Sequence, residues 1–214
     1  VNEMDNAQMT RMVHTSMIFD ATCWARWASQ NNVDDRVINF VMKHEEVVQT
    51  GILTTPRSIT NFSRCIRNME DLKSDIGFVL DMAKGSLDET TATTFATFIN
   101  QGFSTLITPA QILNSKNFKK EVETDVIDEL CKGATKRVDI IAILATRVTF
   151  YALDTLEGKL NLGQMDNLRE FIKCTNIPND IRLTMCQDLC RSGKGTLKKL
   201  ASDPVIARLI IKRM

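Results

Sequence analysis

The sequence predicts a mainly α-helical protein with one short strand in front. Three observations carry this. Apolar residues recur at a spacing near 3.6 from Ala21 onward. Capping residues and glycines punctuate that pattern at regular intervals. After residue 20 there is no strand-like alternation, hairpin turn or internal repeat.

The strand is Val13 to Asp20, V-H-T-S-M-I-F-D, short and apolar enough to be buried. Asp20 then offers a helix N-cap. Ala21 to Gln30 follows as a helix with Trp24, Trp27 and Ala28 at helical spacing, ended by Asn31-Asn32. A second helix starts at Asp34 or Asp35, sets Val37, Ile38, Val41 and Met42 on one face, and fades near Val48 before Gly51. Pro56 suits the first turn of a third, capped by Thr54 or Thr55, with Ile59, Phe62, Ser63, Ile66 and Met69 in register. Asp71 to Ala83 reads as helix up to Gly85. Ser86-x-x-Glu89 is a capping-box pattern for a helix reaching about Gln101.

Thr108-Pro109 opens a short helix, and Phe118 to Lys132 an amphipathic one. Lys136 to Leu156 is apolar around most of its circumference, which marks it as the central helix of the second half. Leu162 to Thr175, Asn179 to Arg191, Thr196 to Ala201 and Pro204 to Arg213 complete an array of roughly ten helices.

Composition narrows the function classes. The 214 residues suit one or two domains with a sizeable core. A net charge of +1, from 27 basic and 26 acidic side chains, argues against a dedicated nucleic-acid binder. Lys119-Lys120 and Lys198-Lys199, with Arg191 and Lys194, offer local basic faces, but Glu121, Glu123 and Asp188 beside them favour a solvated surface. Contact with nucleic acid is open rather than indicated. No apolar run approaches the roughly 18 residues of a membrane span, and no signal peptide is visible. Among the six cysteines, Cys186 and Cys190 share a helix face, but a zinc site would want a second close pair or a nearby histidine, and His14 and His44 are distant in sequence. The cysteines therefore read as reduced, packed thiols. No Ser/His/Asp or Cys/His set supports nucleophilic catalysis. The start at Val1, running at once into patterned sequence, reads as a piece of a longer chain.

Two segments rise above composition: Val1 to Asp20, and Thr55 to Arg64. In chain order the sequence carries D-N-A-Q-M-T-R-M, V-H-T-S-M-I-F-D, C-W-A-R-W-A, V-I-N-F-V-M-K-H-E-E and T-P-R-S-I-T-N-F-S-R. That series resembles the C-terminal portion of MoxR-type AAA+ ATPases, including phage-encoded ones. The resemblance covers residues 1 to about 70 well and the remainder loosely.

What the resemblance implies is specific. Residues 1–20 would be the end of the AAA+ core, residues 21–71 the helical lid, and residues 72–214 a helical extension for ring assembly or a partner. Arg11 matches the arginine finger, which acts on the neighbouring subunit's nucleotide. Arg57 matches the sensor-2 arginine, facing its own subunit's nucleotide. Arg64, further along the same helix, is either a second phosphate or interface contact or a surface charge. Arginine suits these tasks because it stays charged and donates two parallel hydrogen bonds to phosphate oxygens. Standing alone, an exposed Arg near a helix end is usually a solvated charge, and Trp24 with Trp27 reads as lid core.

The parent protein would then hydrolyse ATP with Mg²⁺ in a ring, most simply a hexamer, and remodel a protein substrate or adaptor in a bacterial or phage-infected cytoplasm. No G-x-x-x-x-G-K-[ST] loop lies within the 214 residues. Ser192-Gly193-Lys194-Gly195-Thr196 imitates its end, but Asp188 stands where the first glycine belongs, and the segment reads as an inter-helix turn. This segment alone would not bind or hydrolyse ATP. Two other readings remain: a clamp-loader-like replication ATPase with a helical collar, and an all-α scaffold or adaptor with no nucleotide role.

Overall fold

A computed structural model describes residues 10–13, 15, 18–101, 107–132 and 136–211. Among these the chain is helical throughout, in the order α1 (Ala21–Gln30), α2 (Asp35–Lys43), α3 (Glu46–Thr50), α4 (Pro56–Ile66), α5 (Ile76–Lys84), α6 (Glu89–Asn100) and α7 (Pro109–Leu113). A π-helical stretch, Lys119–Asp128, runs into α-helical Glu129–Cys131, and the two together are α8. Then come α9 (Val138–Phe150, continued in π form by Tyr151–Thr155), α10 (Leu162–Lys173), α11 (Asn179–Arg191), a 3₁₀ segment (Gly195–Ser202) and α12 (Pro204–Ile211).

Local chemistry explains the starts. Asp20 caps α1 by accepting from the Cys23 N–H at 2.8 Å. Thr55 and Ser58 form a reciprocal capping box at α4, with Pro56 in its first turn. Thr108 with Gln111 and Asn161 with Gln164 do the same for α7 and α10.

One contiguous core fills the molecule, from Ala21 to Ile206, and it crosses residue 71 without interruption. Phe95 and Phe98 of α6 pack edge-on against Phe40 of α2, and Phe95 also meets Phe62 of α4 at 5.1 Å. Helix α9 is central as expected, burying Ile140, Ile141, Leu144, Ala145 and Val148. Among the described residues, no helix is long and apolar enough to cross a membrane.

Three expectations differ from the structure. No strand occurs among the described residues, and Val13, Thr15 and Ile18 to Asp20 lie outside regular structure. A strand needs a neighbour for its N–H and C=O groups, and no described segment supplies one. Val13 and Ile18 are accordingly 92% and 84% exposed rather than buried. Second, α5 begins at Ile76, because Asp71 accepts from the Lys73 N–H and holds a turn in front of it. Third, Ser86 is no cap: its hydroxyl donates to the Met82 carbonyl, and Asp88 stands at the N-cap of α6.

The loop-like imitation at 192–196 is an inter-helix turn. Gly193 and Gly195 have φ of +58° and +45°. A Cβ on Gly195 would lie 2.4 Å from the Gly158 carbonyl oxygen, so only glycine fits against that backbone. The Lys194 Nζ donates to the Leu153 carbonyl at 3.2 Å, and the Thr196 hydroxyl donates to the Gly158 carbonyl at 3.0 Å. These groups are committed within the chain.

Candidate functional site

Helices α1 and α4 lie on either side of an open groove of about 560 Å³. One wall is Trp24 and Trp27; the other is Pro56, Arg57, Thr60, Asn61 and Arg64. Helical periodicity makes this wall. Arg57, Asn61 and Arg64 stand at i, i+4 and i+7, so they share a face, with the arginines about 10.5 Å apart along the axis. The opposite face of α4 buries Ile59, Phe62 and Ile66.

The sequence-level view of the tryptophans as core holds for one of them. Trp24 is 8% exposed, whereas Trp27, three residues on, is 46% exposed at the groove rim. The buried Trp24 indole N–H has no acceptor among the described residues, an unsatisfied donor in the wall of the groove.

Both arginines are exposed. Arg64 donates to Asn61 Oδ1 at 3.1 Å. Arg57 has neither a hydrogen bond nor an ion pair with any described residue. It sits in the first turn of α4, where free N–H groups add positive potential. No carboxylate lines the groove. Two guanidiniums, an amide and an exposed indole suit phosphate oxygens and a flat aromatic ring. They do not suit Mg²⁺, which takes carboxylate and water oxygens.

The segment presenting Arg57 is anchored from both sides. The Asp88 carboxylate accepts from the Thr54 N–H at 2.8 Å and the Leu53 N–H at 3.2 Å, and the Asp88 N–H donates to the Thr54 hydroxyl at 3.0 Å. Gly51 permits the close approach, since a Cβ there would meet Asp88 Oδ2 at 2.8 Å. Hydrogen bonding from Thr54, first through its hydroxyl and then its N–H, with help from Leu53, holds the Asp88 carboxyl below its ordinary pKa. The folded-state pKa therefore lies below the unfolded one. The stabilisation is full above the ordinary carboxylate range and is lost as pH falls through the lowered value. Protection of the Leu53 and Thr54 amides, measured against their intrinsic exchange rates, is expected to fall on acidification through that window, and Asp88→Asn to produce the same loss of protection at neutral pH.

At the other end of α4, Arg36 donates to the Ile66 and Met69 carbonyls at 3.1 and 2.7 Å while Asp34 grips its guanidinium at two points. The Asp34 N–H donates to the Ser63 hydroxyl at 2.8 Å. Helix α2 is tied in turn to α9. Buried Arg147, 3% exposed, donates to Asn39 Oδ1 at 2.7 Å and pairs with Asp35. Burial pushes the Arg147 pKa down, and the pair with Asp35 opposes that. This connection was not anticipated. Its signal was a single arginine inside an otherwise apolar helix, which has to find an internal partner.

Arg11 lies in an exposed turn, remote in sequence from the groove. Residues 1–9, which precede it in the expected end of the AAA+ core, fall outside the described residues. Among the described residues, no group of three His, Cys, Asp or Glu side chains is disposed to hold a metal ion. Cys186 is fully buried, and burial pushes its thiol up to about 12, so it packs as a neutral side chain. Comparison with family models, curated proteins and solved structures gives no match for this chain.

Proposed function

We propose that this chain is the lid and helical extension of a AAA+ ATPase of the MoxR type, and that the groove between α1 and α4 faces the nucleotide. The observation that carries the reading is Arg57. It is exposed and unpaired among the described residues, at a proline-fixed helix start, and opens a groove walled by an indole and a second arginine. An arginine left free in this way is available to phosphate oxygens as charge develops on them.

Division of labour follows. Arg57 senses the nucleotide of its own subunit, Arg64 extends the cationic wall, and Arg11 serves the adjacent subunit of a ring. On this reading the phosphate loop and the Mg²⁺ ligands are supplied by parts of the parent protein outside these 214 residues. Because α2, α4 and α9 are joined through Arg36, Asp34 and Arg147, a shift at the groove is carried to the extension as one body. The extension would deliver that shift to a protein substrate or adaptor.

The test is ATP turnover by the intact protein. Arg57→Ala and Arg11→Ala are each expected to lower it roughly hundredfold, the scale of removing one donor to a transition-state oxygen. Unchanged turnover in both variants would return the chain to an all-α scaffold. Strong stimulation by DNA, with none by protein, would move it to the clamp-loader class.

A further inference from the structure

A second cavity lies away from the groove and plays no part in the reading above. It is half-enclosed, about 280 Å³, between α1, α9 and α11. That is near the lower end of small-molecule sites, roughly 300–1,000 Å³. Its floor is apolar: Ala142, Ala145 and Phe150 from α9, and Ile181 and Met185 from α11.

Two carboxylates edge it, Asp180 in the first turn of α11 and Asp188 eight residues on. Their backbone positions are about 12 Å apart along the helix axis. Neither side chain has a hydrogen bond or ion pair with a described residue. The remaining polar atoms lean the same way. Thr146, Thr149 and Thr184 donate their hydroxyl protons to Ala142, Ala145 and Asp180 carbonyls of their own helices at 2.9, 2.9 and 3.0 Å. Their oxygens are left facing the cavity as acceptors. Of the lining threonines, only Thr22 keeps an uncommitted hydroxyl.

No cation lines the cavity. Arg26, beside the lining Phe150, is held by Asp154 at 2.5 and 2.6 Å and lies over the Phe150 ring, and it acts on Asp188 without touching it. An acceptor-rich rim with a negative charge near each end and a greasy floor between calls for a particular ligand. It must carry donors and positive charge at both ends and methylene groups in the middle.

We propose that this cavity binds an aliphatic diamine or short polyamine. One ammonium sits at Asp180, the other at Asp188, and the chain lies over Ala142, Ala145 and Met185. Size and charge both favour a slim dication over an aromatic or anionic ligand, and a monoamine satisfies only one carboxylate.

The test uses the 214-residue chain with methyl-labelled methionine, titrated with 1,6-hexanediamine, 1,8-octanediamine and spermidine at physiological salt. The Met185 methyl resonance is expected to shift saturably with at least one of them. Asp180→Asn and Asp188→Asn should each weaken binding roughly tenfold or more, the scale of a lost charge-assisted hydrogen bond. Hexylamine should bind at least about tenfold more weakly than its diamine, by the same argument. Ala142→Leu should abolish the shift by filling the floor, with circular dichroism confirming an intact fold. The proposal is overturned if no amine shifts Met185 at millimolar concentration, or if monoamine and diamine bind alike. It is also overturned if the Asn variants bind as the parent does, or if an oligolysine peptide shifts Met185 where the free diamines do not.

Discussion

Arg147→Ala is expected to destabilise the fold by about 2–5 kcal/mol, the scale of truncating a large buried side chain and orphaning a buried amide. The side chain is 3% exposed and fills space between α9 and α2. Its loss leaves a cavity and strips the 1%-exposed Asn39 of its donor. Asp35 suffers less, because its side chain is 43% exposed and can turn to water. That asymmetry makes the prediction sharper. Arg147→Met restores most of the volume and should recover part of the loss, and adding Asn39→Leu should recover most of the rest, since a matched apolar pair can replace a buried polar one. Urea unfolding reads this as a falling midpoint at constant slope for Arg147→Ala and a rising one along the repair series.

Phe95→Ala is the second large effect, also expected at about 3–5 kcal/mol. Phe95 is 1% exposed and meets both Phe40 and Phe62 edge-on at 5.1 Å. Such geometry adds to the area term for each ring pair. The ring lies under α4, so its removal should also loosen the helix that presents Arg57. Exchange of α4 amides should therefore rise more than exchange in α10. Uniform loosening of all helices would mean that the aromatic cluster carries no special support for the groove.

The helices were legible because their signals are local. Asp20, Thr55 with Pro56, and Thr108 mark starts that local capping chemistry alone explains. The apolar run from Lys136 announced a central helix, since nothing else could bury both of its faces. The strand at Val13 to Asp20 was not legible in the same way. A short apolar run there described a segment suited to a sheet, but a sheet is made by neighbours, and the described residues contain none. Asp88 went unnoticed for a related reason. Its carboxylate serves the loop around Thr54, more than thirty residues back, instead of its own helix.

The site was partly legible. Arg57 and Arg64 could be set on one face by counting residues, and Trp24 with Trp27 could be paired by spacing. That the two pairs face one another across α1 and α4 is a tertiary fact. The cavity edged by Asp180 and Asp188 was invisible in sequence, because its floor comes from α9 and α11 together.

The central claim is that the groove between α1 and α4 faces nucleotide, and energy transfer tests it most directly. The chain has two tryptophans, and both line the groove. In the intact protein, with any tryptophan preceding Val1 replaced by phenylalanine, bound N-methylanthraniloyl-ADP should quench their emission and fluoresce in turn. Arg57→Ala should weaken that signal. Efficient ATP turnover with no transfer from Trp24 or Trp27, or transfer indifferent to Arg57, would contradict the account.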